Sequence, residues 1–168
     1  MAPRRWALIV CDSRPVYSAE AADVLQQMGR RASREYATLE DYMAHFRIRP
    51  DGLRAPQEVH RYIACSAALH LPSGMWTHKI DRRVYAQRQP LNTLPFWQRI
   101  RCPALVLRAE HSPRLTPALL QLMKEMCPHM EGAEVAEAGH HLMLDQPEQT
   151  VALIREFLQR HRFLQGSL

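Results

Sequence analysis

Two stretches of the chain are almost wholly apolar and short enough to be strands. Residues 6–11 read Trp-Ala-Leu-Ile-Val-Cys and stop at Asp12-Ser-Arg-Pro15, and residues 103–108 read Pro-Ala-Leu-Val-Leu-Arg. Runs of this length, bounded by polar and turn residues, suit strands of a parallel sheet whose two faces are both covered. A third segment, Ala133-Glu-Val-Ala-Glu137, alternates as a short strand does. Elsewhere the apolar positions recur at helical spacing. Ser18 stands as N-cap to a helix reaching about Gly29, with Ala19, Ala22, Val24, Leu25 and Met28 on its apolar faces. Thr38 and Asp41 form a capping-box pair for a helix over about 39–47. Arg49-Pro-Asp-Gly52 is a turn, and Pro56 opens a helix to about Leu71 that carries Val59, Ile63, Ala64 and Ala67. Residues 72–75 interrupt it, and residues 76–101 show no clear period. Thr116-Pro117 starts a helix to about Met126, and a last amphipathic helix runs from Pro147 to about Arg160 with Val151, Ile154, Phe157 and Leu158 inward. The order is strand, helical block, strand, helix, strand, helix. It predicts an α/β fold with a short parallel sheet of about three strands, flanking helices and right-handed crossovers.

Composition narrows the class. A chain of 168 residues and 19.5 kDa has the size of one domain, and 46% apolar with 23% charged residues is globular usage. No apolar run approaches the roughly 18 residues of a membrane span. Met1-Ala-Pro-Arg-Arg5 looks like the start of a secretion leader, but the run after it meets Asp12 too soon for the roughly 7–15 apolar residues a leader needs. Cysteines 11, 65, 102 and 127 lie far apart without a C-x-x-C, which argues against a disulfide framework or zinc motif and for a reducing, cytoplasmic setting. Net charge is +5 and lopsided: residues 1–101 hold 16 basic and 9 acidic side chains, residues 102–168 hold 6 and 8. Three arginine groups (30/31/34, 47/49/54 and 82/83/88) are interleaved with acids and match no nucleic-acid motif, so they read as solvated helix faces.

Residues 97–158 resemble the C-terminal part of the α/β-hydrolase superfamily. Three segments carry the resemblance: Trp97-Gln-Arg-Ile-Arg-Cys-Pro-Ala-Leu-Val-Leu-Arg-Ala-Glu-His-Ser112, then Ala138-Gly-His-His-Leu-Met-Leu-Asp-Gln-Pro-Glu148, then Ile154-Arg-Glu-Phe-Leu158. The resemblance implies that these are the seventh strand with its acid-bearing loop, the loop carrying the catalytic histidine, and the closing helix. Leu8-Ile-Val-Cys-Asp-Ser-Arg-Pro15 then looks like the sixth strand and its exit. The implied division is 1–15 as first core strand and exit, 16–95 as a helical cap-like insertion, and 96–168 as the C-terminal core. The family's nucleophile elbow, G-x-S-x-G, has no counterpart, because the glycines at 29, 52, 74, 132, 139 and 166 include no pair four apart. Residues 1–168 are therefore expected to be the second half of such a fold, as a truncation, a split protein or a short protein in its own right.

By this resemblance His140, directly after Gly139, is the general base, a role that suits imidazole because it gains and loses a proton near working pH. The acid has two candidates. Many family members read Gly-x-x-Asp where this chain reads Ala109-Glu-His-Ser112, and serine cannot hold a charge against an imidazolium. Glu110 is the nearest carboxylate on that loop, and Asp12, at the exit of the first strand, is the alternative. His111, His129 and His141 fit no ligand spacing, so neither metal nor other cofactor is expected. Trp76, Trp97, Tyr62 and Met75 suit either an apolar substrate pocket or core packing, and Asp145 and Pro147 shape the His140 loop. The expected function is the C-terminal part of a serine hydrolase acting on an ester, lactone or carbon–carbon bond of a small organic substrate, once an N-terminal half completes it. The alternative is a non-catalytic half that binds a ligand or a protein. In either case the strand at residues 6–11 is expected to present an open sheet edge, through which the chain pairs with a copy of itself or with a partner chain. No nucleic acid or membrane partner is expected.

Overall fold

The computed structural model describes residues 6–163. In chain order its elements are β1 (Leu8–Cys11), β2 (Val16–Tyr17), α1 (Ala19–Arg30), α2 (Leu39–His45), α3 (Gln57–Ala67), β3 (Ala68–His70), β4 (Trp76–His78), α4 (Arg83–Ala86), β5 (Leu91–Asn92), α5 (Leu94–Trp97), β6 (Ala104–Ala109), α6 (Pro117–Met126), β7 (Glu131–Val135), α7 (Leu142–Asp145) and α8 (Pro147–Arg160). They form two compact units. Among the described residues one comprises 6–16, 52–54 and 92–163, and the other comprises 17–51 and 55–91.

The first unit is a three-stranded parallel sheet in the order β1-β6-β7. Its centre is β6, whose six residues are all buried. Alternation along β6 sends side chains to two cores. Ala104 and Val106 pack on one face with Trp97, Leu115, Met123, Cys127 and Met130, so Trp97 is core rather than pocket lining. Leu105, Leu107 and Ala109 pack on the other face with Val135, Ala138, Leu142 and Phe157. The helices α5 and α6 thus close one face, α7 and α8 the other. Arg108 is buried too, and its charge is matched: it pairs with Glu134, its cross-strand partner on β7, and donates to the Ala109 and Glu110 carbonyls at 2.9 and 3.2 Å.

Three expectations shift. β1 is only half-buried, because among the described residues it has a strand, β6, on one side only. β7 spans Glu131–Val135 instead of 133–137, since Glu137 turns the chain away with a left-handed backbone, φ 54°. The stretch before Pro147, expected as loop, contains the short helix α7.

In the second unit the caps form as expected: the Ser18 side chain accepts from Ala21 N at 3.2 Å, and that of Thr38 from Asp41 N at 3.0 Å. The helix from Pro56 ends at Ala67, earlier than its apolar spacing implies. Ala68–His70 instead forms an antiparallel hairpin with Trp76–His78, across a turn in which Gly74 has φ 82°. Tyr42 of α2 is buried and its hydroxyl meets His78 Nδ1 at 3.2 Å, while Tyr62 is 73% exposed and lines no core. Gly29 is required by a close approach of α1 to α4, where a Cβ would stand 2.2 Å from Ala86 N and 2.7 Å from its Cα. Backbone atoms cannot swing aside as a side-chain tip does. Gly29→Ala is therefore expected to lower stability by about 1–3 kcal/mol, read as a lower urea midpoint by circular dichroism. An unchanged midpoint would show that α1 and α4 are not held this close.

Candidate active site

In a parallel sheet all strands end on the same side, so the segments leaving β1, β6 and β7 converge at one edge. The first supplies Asp12, the second Glu110 to Ser112, and the third His140.

Asp12 follows β1 directly and is fully buried. Its backbone is left-handed, φ 48°, a conformation that aspartate tolerates better than most residues. Its N–H extends the β1–β6 ladder by bonding the Leu107 carbonyl at 2.7 Å. Three donors converge on its carboxylate. Oδ1 accepts from Ala109 N at 3.0 Å, and Oδ2 accepts from the Ser112 hydroxyl and from His140 Nδ1, the latter at 2.8 Å. The Ser112 oxygen itself accepts from Arg114 N at 3.0 Å, which leaves its proton for Asp12. Because the carboxylate is the acceptor, the His140 hydrogen sits on Nδ1, and the lone pair of a neutral ring sits on Nε2.

The His140 loop is held from several sides. Gly139 N donates to Asp145 Oδ2 at 2.8 Å, and Arg54 N to Asp145 Oδ1 at 2.7 Å. The glycine is needed here: a Cβ would lie 2.8 Å from the Gly52 carbonyl oxygen. Leu142 is buried just beyond, and its carbonyl accepts from the Thr150 hydroxyl of α8 at 3.2 Å. The ring is thus fixed at Nδ1 while 27% of the side chain stays exposed.

Glu110, the carboxylate expected beside His140, takes another place. It is exposed, and its Oε2 accepts from Glu137 N at 2.8 Å, a bond that holds its pKa below the usual carboxylate value. Proximity along the chain pointed to Glu110. The geometry instead brings together Asp12 and His140, 128 positions apart, with no local pattern to announce it. Asp12 is the alternative acid named from the sequence, and Ser112, the residue standing where the resemblance leads to an aspartate being expected, places its hydroxyl on the Asp12 carboxylate. The His141 ring lies tilted by 60° against the His140 ring, with centroids 4.9 Å apart.

No protein-family model and no curated protein matches the sequence. Solved structures do. The crystal structure of E-2-(acetamidomethylene)succinate hydrolase superimposes with a TM-score of 0.73 at 20% identity, over 91% of this chain and 57% of that one. A novel esterase from Mycobacterium tuberculosis gives 0.66 at 18%, over 91% and 52%. An α/β-hydrolase from Novosphingobium aromaticivorans gives 0.62 at 22%, over 92% and 56%. The chain spans little more than half the length of these proteins, and what it shares with them is a partial α/β-hydrolase fold.

The two carboxylates are expected to differ sharply on substitution. Asp12→Ala strands the Ala109 N–H, the Ser112 hydroxyl and His140 Nδ1 and is expected to cost about 2–4 kcal/mol. Glu110→Gln keeps an acceptor for Glu137 N and is expected to stay within about 0.5 kcal/mol. Urea unfolding of both variants checks this, and equal losses would refute it.

Proposed function

We propose that this chain supplies the acid–base half of a serine-hydrolase site, with His140 as general base and Asp12 as the acid that orients it. The observation that carries the reading is the 2.8 Å bond from His140 Nδ1 to the buried Asp12 carboxylate, set at the strand-end edge of an α/β-hydrolase-type sheet. In this reading His140 Nε2 takes the proton of a nucleophilic hydroxyl as that oxygen attacks the substrate carbonyl, and Asp12 stabilises the imidazolium. The proton then passes to the leaving group as the tetrahedral intermediate collapses. The substrate is an ester, a lactone or a cleavable carbon–carbon bond of a small organic molecule.

The nucleophile and the oxyanion donors come, in this reading, from a polypeptide bearing the G-x-S-x-G elbow. Its strand adds to the open edge of β1, next to Trp6, which is 68% exposed. The similar solved structures, of which this chain covers 57% and 52%, are long enough to contain such a half. A second reading, a non-catalytic binding half, is favoured by the lack of an elbow within these 168 residues.

The test starts from the DNA around the coding sequence. A reading frame with G-x-S-x-G, in frame or adjacent, is co-expressed with this chain and assayed on short p-nitrophenyl esters. Alone, residues 1–168 are expected to show no turnover that depends on His140. Complemented, the protein is expected to hydrolyse the ester, and to lose on the order of 10³-fold or more in His140→Ala and Asp12→Asn. Hydrolysis indifferent to both substitutions, or the absence of any such frame, would favour the binding half.

A further inference from the structure

Beside the dyad, on the same edge of the sheet, lies a second group of side chains that the reading above does not use. Glu110 and His111 follow β6, and Glu137 follows β7. One ligand-type atom from each lies within 4.8 Å of the other two. We propose that Glu110, His111 and Glu137 form a surface site for a zinc-type divalent transition-metal ion, a proposal independent of the hydrolase reading.

The backbone places these residues before any ion arrives. Glu110 N bonds the Val135 carbonyl at 3.1 Å, and His111 N bonds the Ala138 carbonyl at 2.9 Å, which carries the β6–β7 ladder past the ends of the strands. Glu137 N bonds Glu110 Oε2 at 2.8 Å and locks the third member to the first. The spacing suits a small ion. Zinc holds nitrogen and carboxylate oxygen at about 2.0–2.2 Å, so two ligands of a tetrahedral centre stand about 3.3–3.6 Å apart. His111 Nε2 lies 3.8 Å from Glu110 Oε2 and 3.6 Å from Glu137 Oε2. The two imidazole-to-carboxylate distances are within a few tenths of an ångström of that range, and the two carboxylates lie within 4.8 Å of each other. The donor set, one imidazole and two carboxylates, suits zinc and its neighbours better than calcium, which favours all-oxygen cages of six to eight ligands.

Arg54 Nη1 sits 2.8 Å from Glu137 Oε2 and already offers that carboxylate a positive charge. An ion must displace it or share the oxygen, which weakens binding. The three side chains are also well exposed, so the site binds reversibly from solvent. A bound ion would cross-link the loop after β6, whose Ser112 bonds Asp12, to the loop that carries His140.

The competitor makes the proposal testable by variants that move in opposite directions. Zinc is titrated into the full chain against a chromophoric chelator, and cobalt is added separately for its visible absorption. His111→Ala and Glu110→Gln are expected to weaken zinc binding at least tenfold and to abolish the cobalt band of a four-coordinate centre. Arg54→Ala is expected to tighten binding severalfold, and His129→Ala, which removes a histidine outside the cluster, to leave it unchanged. Circular dichroism confirms that each variant is folded. Wild-type affinity in both His111→Ala and Glu110→Gln, or weaker binding in Arg54→Ala, would overturn the proposal.

Discussion

The hydrogen bond between Asp12 and His140 depends on a constraint that only a parallel sheet meets. β1 and β7 lie on opposite sides of β6 and never touch, yet the residues that follow them meet at 2.8 Å. They meet because the strands point the same way and the exit of β6 lies between, lending Ala109 N and the Ser112 hydroxyl to the same carboxylate. The strand order, the buried aspartate and the loop clamped by Asp145 therefore form one arrangement. A carboxylate this deeply buried is tolerable only because its lone pairs are met by three donors, and taking those donors away would leave a charge in the core.

Where the local pattern was strong, the fold was legible in the sequence. The apolar run at 103–108 becomes the central strand, and Thr116-Pro117 and Pro147 mark the starts of α6 and α8. These segments carry both a period and a boundary residue. Ala68-Leu-His70 carried neither: the helical spacing before it simply continues, and only pairing with Trp76–His78 draws it out of the helix. The bounds expected for β7 fall two residues too late for a similar reason, because the cross-strand pairing to β6, and not local alternation, decides where the strand begins and ends.

The site was legible in part. Gly139-His140 stood out as a motif, and the structure gives the glycine a steric reason, the Gly52 carbonyl against which no Cβ fits. The partner of His140 was legible only as one of two candidates, Glu110 and Asp12, because nothing in a sequence records which loops a sheet brings together. Glu110 was attractive by nearness to the expected loop, but its backbone is tied to β7 and its carboxylate to Glu137 N. Asp12 carries the sparser signal: one acid closing an apolar run, answered a hundred residues later by a serine at the position where aspartate was expected.

If the Asp12 carboxylate sets the tautomer of His140, nitrogen-15 NMR of the imidazole reads it. The neutral ring is expected to carry its proton on Nδ1, with a downfield Nδ1–H resonance and an unprotonated Nε2, and Asp12→Asn is expected to erase that preference while Glu110→Gln leaves it intact. A neutral His140 protonated on Nε2, or a preference that survives Asp12→Asn, would contradict that role of the carboxylate.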